Sequence, residues 1–172
     1  MIEIYTDGSA KGNPGNGGYG IVMRYNGVTK EVSQGYRLTT NNRMELLAVI
    51  ISLELLKTNK HVVHIYSDSK YVIDSITKKW VFGWEKKNFK GKKNSDLWRR
   101  YLEIHAKFKI EYHWVKGHAG HPENERCDEL ATIAMQRDDL LVDNFYMSEY
   151  YSEENQQQTK IPENTEKIIQ VL

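Results

Sequence analysis

Hydrophobic and polar positions along the first third of the chain fall into short β-prone runs. Ile2–Thr6, Tyr19–Tyr25 and Val28–Tyr36 read as three strands. Asn26-Gly27 is a two-residue hairpin signal, so the three strands form one antiparallel meander. Between the first two, Gly12-Asn13-Pro14-Gly15-Asn16-Gly17-Gly18 reads as a glycine-rich loop. The period then changes. Over residues 40–57, Met44, Leu47, Ala48, Ile51 and Leu55 recur at helical spacing, with Thr39, Thr40 and Asn41 as candidate caps. Leu46, Val49, Ile50, Leu53 and Leu56 fill much of the remaining circumference, so this helix is expected to be buried on most sides.

The second half alternates between the two periods. Val62–Ser67 reads as a fourth strand, and Ser69 caps a helix to about Thr77. Ser95–Lys107 reads as a helix and Ile110–Val115 as a fifth strand. Pro122 suits the first position of a helix running to about Asp138. This order predicts an α/β domain over residues 1–150. Its five-stranded mixed sheet has three antiparallel strands, then parallel additions, and is flanked by helices. From residue 151 the composition turns polar, and 151–172 reads as a flexible tail with an apolar end at Ile168, Ile169, Val171 and Leu172.

Composition narrows the class. The 172 residues suit one domain with an extension. No apolar run is long enough to span a membrane, and the first residues have neither the basic nor the apolar part of a signal peptide, so a cytoplasmic protein is expected. The single cysteine, Cys127, excludes an internal disulfide framework and a multi-cysteine zinc site, and reads as a small core residue. A zinc site from His118, His121 and Cys127 is a weaker alternative. The net charge of +1 hides an asymmetry. Residues 149–172 carry −3, whereas 78–109 carry +8, with eleven lysines and arginines against Glu85, Asp96 and Glu103. A basic segment of this kind suits a polyanion partner or a solvated helix face.

Four acids stand where acids are costly. Asp7 and Asp68 follow strands, while Glu45 and Asp128 lie on helices among apolar neighbours. Each alone has a plainer explanation: a turn, a cap, a helix-dipole partner, or an ion pair of Asp128 with Arg126. Together they suggest a shared cation, because a carboxylate stripped of water needs compensation. Ligands gather beyond the carboxyl ends of strands in open α/β sheets, where Asp7 and Asp68 would meet if their strands are parallel neighbours. Oxygen donors without thiolate suit Mg²⁺ or Mn²⁺.

Several stretches resemble one family. They are Tyr5-Thr6-Asp7-Gly8-Ser9, Gly12-Asn13-Pro14-Gly15, Gly17-Gly18-Tyr19-Gly20, Thr39-Thr40-Asn41-Asn42-Arg43-Met44-Glu45-Leu46 and Ser67-Asp68-Ser69, with the long run Trp114 to Asp128 containing Lys116-Gly117-His118-Ala119-Gly120-His121. In order, over about residues 2–145, they are similar to bacterial type 1 ribonuclease H. The resemblance implies a ribonuclease H-like fold and an endoribonuclease that cleaves the RNA strand of RNA–DNA hybrids, leaving 5′-phosphate and 3′-hydroxyl ends. It implies Asp7, Glu45, Asp68 and Asp128 as ligands of two Mg²⁺ ions, ~3.5–4 Å apart, and His118 as an aid to proton transfer or product departure. It implies substrate contacts from Asn13, Thr40, Asn41 and Asn42, and a basic protrusion at about 78–96 carrying Trp84, Lys86 and Lys87. Trp80 and Trp98 read as a small core beneath that protrusion. Ala10 and Lys70 depart from residues common in the family, and the segment between Trp84 and Trp98 is short for it. A monomer is expected. A relative acting on another polynucleotide, and a hybrid-binding module without turnover, are the competing readings.

Overall fold

A computed structural model describes residues 1–158. Strands β1 (Ile2–Ala10), β2 (Gly15–Tyr25) and β3 (Val28–Thr39) form the antiparallel meander. Helix α1 (Asn41–Glu54), strand β4 (Val62–Ser67), helices α2 (Lys70–Thr77), α3 (Trp80–Lys86) and α4 (Ser95–His105), strand β5 (Lys109–Trp114) and helix α5 (Pro122–Ala134) follow. A two-residue strand β6 (Leu141–Val142) and helix α6 (Asn144–Gln158) complete the described chain. The sheet order is β5-β4-β1-β2-β3-β6, with β4 and β5 parallel to β1 and β6 parallel to β3. The sheet thus has six strands rather than five. β6 escapes a periodicity search because two residues carry no period.

The first two strands outrun their expected lengths. Asp7, Gly8, Ser9 and Ala10 pair with Gly20, Tyr19, Gly18 and Gly17, so the loop shrinks to four residues. Glycines that look like turn residues are used here for close packing. A Cβ on Gly20 would overlap the Cys127 carbonyl, and one on Gly18 would sit 2.6 Å from the Ala131 carbonyl oxygen, so α5 lies directly on β2. α1 covers the opposite face. Its apolar residues from Met44 to Leu53, except the partly buried Ile51, are buried with Ile4, Ile21, Val63 and Ile65, in keeping with its all-round hydrophobicity. Thr40 caps α1 by accepting from the Arg43 amide (3.2 Å).

Arg43 is the exception inside that core. It is 2% exposed and pairs with two acids, donating to both oxygens of Asp96 (2.8 and 2.7 Å) and both of Asp143 (2.6 and 2.9 Å). These pairs raise the guanidinium pKa against the effect of burial. The network ties α1 to the start of α4 and, through Asp143, to the start of α6. The Asp143 carboxylate also accepts from the Tyr146 amide, and Phe145 lies 5.5 Å from the guanidinium carbon. This anchoring accounts for a helix that runs across residue 151, where the sequence suggested a flexible tail had begun. The rest of that tail, with its apolar end, lies outside the described residues. Among the described residues no helix is long and apolar enough to cross a membrane.

Trp98 is fully buried, stacked edge-on with Trp84, Tyr71 and Tyr101. Trp80 is 46% exposed, against the expectation of a core residue. It opens a helix whose Val81 fills the core position instead, and Lys78 lies over its ring.

Removing one partner of a buried charge network strands the others. Arg43→Ala is therefore expected to cost about 3–5 kcal/mol in urea unfolding. A loss below about 1 kcal/mol would show that the network contributes little.

Candidate active site

β1 and β4 are parallel neighbours with Thr6 opposite Ser67, so both chains deliver their next residue, Asp7 and Asp68, to the same end of the sheet. α1 reaches this point because Gly8 has no side chain. A Cβ there would overlap the Met44 carbonyl carbon and the Glu45 nitrogen. The close approach sets Glu45 beside Asp7. One carboxylate oxygen from each of Asp7, Glu45 and Asp68 lies within 4.8 Å of the others. Asp128, on α5, is not part of that tight group, but its charge acts on Asp7. Arg126 pairs with Glu31 and Glu129, and not with Asp128.

The cluster is under electrostatic load. Asp7 is pushed up to about 7, first by burial and then by the Asp68 charge, against hydrogen bonds from Glu45 and from the Gly8 amide (2.8 Å). Glu45 is pushed well above the usual carboxylate range by burial and by the charges of Asp7 and Asp68. Its Oε2 is buried without a hydrogen-bond partner among the described residues. A buried acceptor oxygen left unpaired, facing two further carboxylates, is the surrounding a divalent cation fits.

Asp68 is held from outside. Its carbonyl accepts from the Trp114 indole (3.1 Å), and its Oδ2 accepts from the Asn124 amide (3.4 Å). Gly117 packs so tightly on it that a Cβ would stand 2.5 Å from Oδ2. The next residue, His118, is exposed on this loop, in the left-handed region at φ 52°. His118 is thus the chain neighbour of a residue that touches Asp68. Cys127 is buried and its thiol pKa is raised, first by burial, so it does not join a zinc site with the exposed His118 and His121.

Beside the cluster runs an open groove of about 520 Å³. Asn13, Thr40, Asn42 and Trp84, which the resemblance implies as substrate contacts, line it together with Lys92 and Lys93. Asn41 braces its floor. Its Oδ1 accepts from the Ala10 amide (2.6 Å), and its own amide donates to Asn13 Oδ1 (3.0 Å). Lys86, at the end of α3, and Lys87 are exposed and do not line this groove; Lys87 borders a second one with Trp84 and Lys90. Sequence reasoning missed Tyr71, Asn94 and Tyr146, which also line the groove. The Tyr71 hydroxyl accepts from Asn94 (3.0 Å) and from the Trp98 indole (2.9 Å). Tyr146 comes from α6, a segment whose polar composition gave no signal of a wall.

A mixed sheet of this order, with acids where the parallel pairing of β1 and β4 ends, suits a metal-dependent nuclease core. The ribonuclease H family model matches residues 1–136. The ribonuclease H of Shewanella sp. strain ANA-3 is 53% identical over 154 residues, covering 87% of this chain and 96% of its own. That of Klebsiella pneumoniae strain MGH 78578 is 55% identical over 139 residues, covering 78% and 88%. Among solved structures, LC9-RNase H1 superposes with a TM-score of 0.69 at 30% identity, covering 78% of this chain and 71% of its own. LC11-RNase H1 in complex with an RNA/DNA hybrid gives 0.61 at 25%, covering 78% and 96%. The chain belongs to the ribonuclease H family, and it is a hydrolase of the nuclease class.

The raised Asp7 pKa sets a stability trend for the metal-free protein. The folded state holds this proton more tightly than the unfolded chain, so the contribution is complete below about pH 4 and is lost as pH rises towards 7. Asp7→Asn is expected to gain stability over wild type in EDTA as pH climbs through this window, by up to a few kcal/mol. Urea midpoints that run parallel for the two proteins would contradict the assignment.

Proposed function

We propose that this chain acts as a monomeric, cytoplasmic, Mg²⁺-dependent endoribonuclease. It hydrolyses the RNA strand of RNA–DNA hybrids and leaves 5′-phosphate and 3′-hydroxyl ends. Cleavage of RNA in hybrids is the activity that membership of the ribonuclease H family carries. The observation that carries the reading is the convergence of Asp7, Glu45 and Asp68 at one strand end, with an unpaired buried oxygen on Glu45.

Asp7, Glu45 and Asp68 would hold the cations, with Asp128 closing the set from α5. An all-oxygen donor set suits Mg²⁺, and Mn²⁺ as its substitute. Ions held there would supply Lewis-acid stabilisation to the phosphodiester under attack. The chain's own residues do the remainder. Register fixes Asp7 against Asp68, and Gly8 fixes the depth of Glu45. His118, exposed on a loop with glycines at 117 and 120, is placed to act as a general acid or base as substrate and product exchange.

Recognition divides by strand. The Asn13 and Asn41 carbonyl oxygens are already occupied, which leaves their NH₂ groups to donate to ribose 2′-hydroxyls. Thr40, Asn42 and Trp84 line the adjoining groove, which suits the backbone of the DNA strand. Lys86, Lys87, Lys92 and Lys93 supply sequence-independent attraction to phosphates.

Asp68→Asn is expected to reduce cleavage of a labelled hybrid to background while leaving the melting temperature within a few degrees. EDTA should do the same to wild type, and Mg²⁺ should restore it. Near-normal cleavage by a folded Asp68→Asn protein would sink the reading. His118→Ala should slow turnover by about 10²-fold and leave hybrid affinity intact. Replacing Lys86 and Lys87 by Ala should raise KM and flatten the slope of log KM against log salt by about 1–2. An unchanged slope would remove them from substrate binding.

A further inference from the structure

We propose a second metal site on the open face of the sheet, formed by His64, Glu111 and His113 and suited to Zn²⁺. It lies outside the carboxylate cluster and does not depend on the proposed activity. His64 on β4 stands directly opposite Glu111 on β5, and His113 follows two residues later, so all three side chains leave the same face. His64 Nδ1 is 3.0 Å from His113 Nε2 and 3.5 Å from Glu111 Oε2. One ligand atom from each lies within 4.8 Å of the other two.

These spacings suit a tetrahedral ion. Bonds of about 2.0–2.1 Å at tetrahedral angles put neighbouring ligand atoms about 3.3–3.4 Å apart. The two imidazoles need to part by only a few tenths of an ångström. Without metal they share one hydrogen bond, which requires a proton on one of the facing nitrogens; with metal both nitrogens turn lone pairs to the ion. The rings are already aligned, at 13° between planes, and a ladder of aromatics holds them. Tyr66 stacks on His113 at 4.6 Å, and Tyr5 stacks on Tyr66 at 4.7 Å.

Access is open. α5 lies over β1, β2 and β3, and Glu111 on β5 is 60% exposed. A fourth ligand position therefore falls to water. Two imidazoles and one carboxylate favour Zn²⁺, Ni²⁺ or Cu²⁺ over Mg²⁺, the reverse of the cluster at the strand ends.

The test is Zn²⁺ uptake by the full chain, read by competition with a chromophoric zinc chelator near neutral pH. Millimolar Mg²⁺ is present throughout to occupy the carboxylate cluster. Wild type is expected to take up one tightly held Zn²⁺, with Asp7→Asn unchanged. Glu111→Gln should weaken the affinity by about tenfold, and His113→Ala by more than that, as ligands are lost. Zn²⁺ should raise the melting temperature of wild type and not of His113→Ala. Equal Zn²⁺ affinity in wild type, Glu111→Gln and His113→Ala would overturn the proposal. So would loss of uptake in Asp7→Asn with retention in the other two. Should His113→Ala fail to fold, the Glu111→Gln result decides, since that side chain is exposed and supports no core contact. Hybrid cleavage is not the readout, so failure here leaves the nuclease assignment standing.

Discussion

Two carboxylates a few ångströms apart in a half-dry site repel by about 4 kcal/mol at an effective dielectric constant near 20. Asp7, Glu45 and Asp68 put three such groups together, one of them on a helix whose other sides are packed with leucine and isoleucine. The fold can hold them only with a proton or a cation among them, and the raised pKa values of Asp7 and Glu45 express the first of these states. Much of the surrounding architecture enforces the crowding. β1 must lie beside β4 in parallel, position 8 must lack a side chain, and the loop carrying Gly117 must press on Asp68. Relaxing any one of these would relieve the repulsion and, with it, the site's hold on a divalent ion.

The same helix resolves its other buried charge in the opposite manner. Arg43 lies two residues before Glu45 on α1, so the two point to different sides. Arg43 finds two acids and is neutralised by protein; Glu45 finds two acids and is not. One helix thus fixes the carboxylate cluster on one side and the outer wall on the other, through Asp96 and Asp143. This places α6 in the working part of the molecule. Tyr146 reaches the groove because Asp143, at the base of α6, is locked to Arg43.

What could be read in the sequence follows from the length scale of each signal. The five longer strands and α1 announce themselves by periods sustained over several residues. Glu45 stood out because an acid among apolar neighbours is costly, and Asp7 and Asp68 because they follow strands; nothing in that pattern kept Asp128 apart from the tight group. β6 is too short to carry a period, and the ends of β1 and β2 were hidden because glycine signals both a turn and close packing. Trp80 is exposed where a core residue was expected and the next residue, Val81, is buried instead, since helix phase near an interruption is set by tertiary contacts. The His64, Glu111 and His113 group was invisible for another reason. Its members come from two strands, and only the register of β4 against β5 brings residues 64 and 111 face to face.

The division of charge has a consequence for how the parts act together. The acidic cluster repels a polyanion, whereas the segment 78–109, with its net charge of +8, attracts one. Neither property alone delivers a phosphodiester to the strand ends. Cations held in the cluster would offset its charge, and a bound hybrid would then tighten them by the same factor as they tighten the hybrid, because the coupling is reciprocal. With the Asp7 and Glu45 pKa values both raised, the metal-free cluster keeps protons that a carboxylate in water would release. A cation taking the place of those protons would let the lysines and the carboxylates act on one polyanion although the two groups are set on different elements.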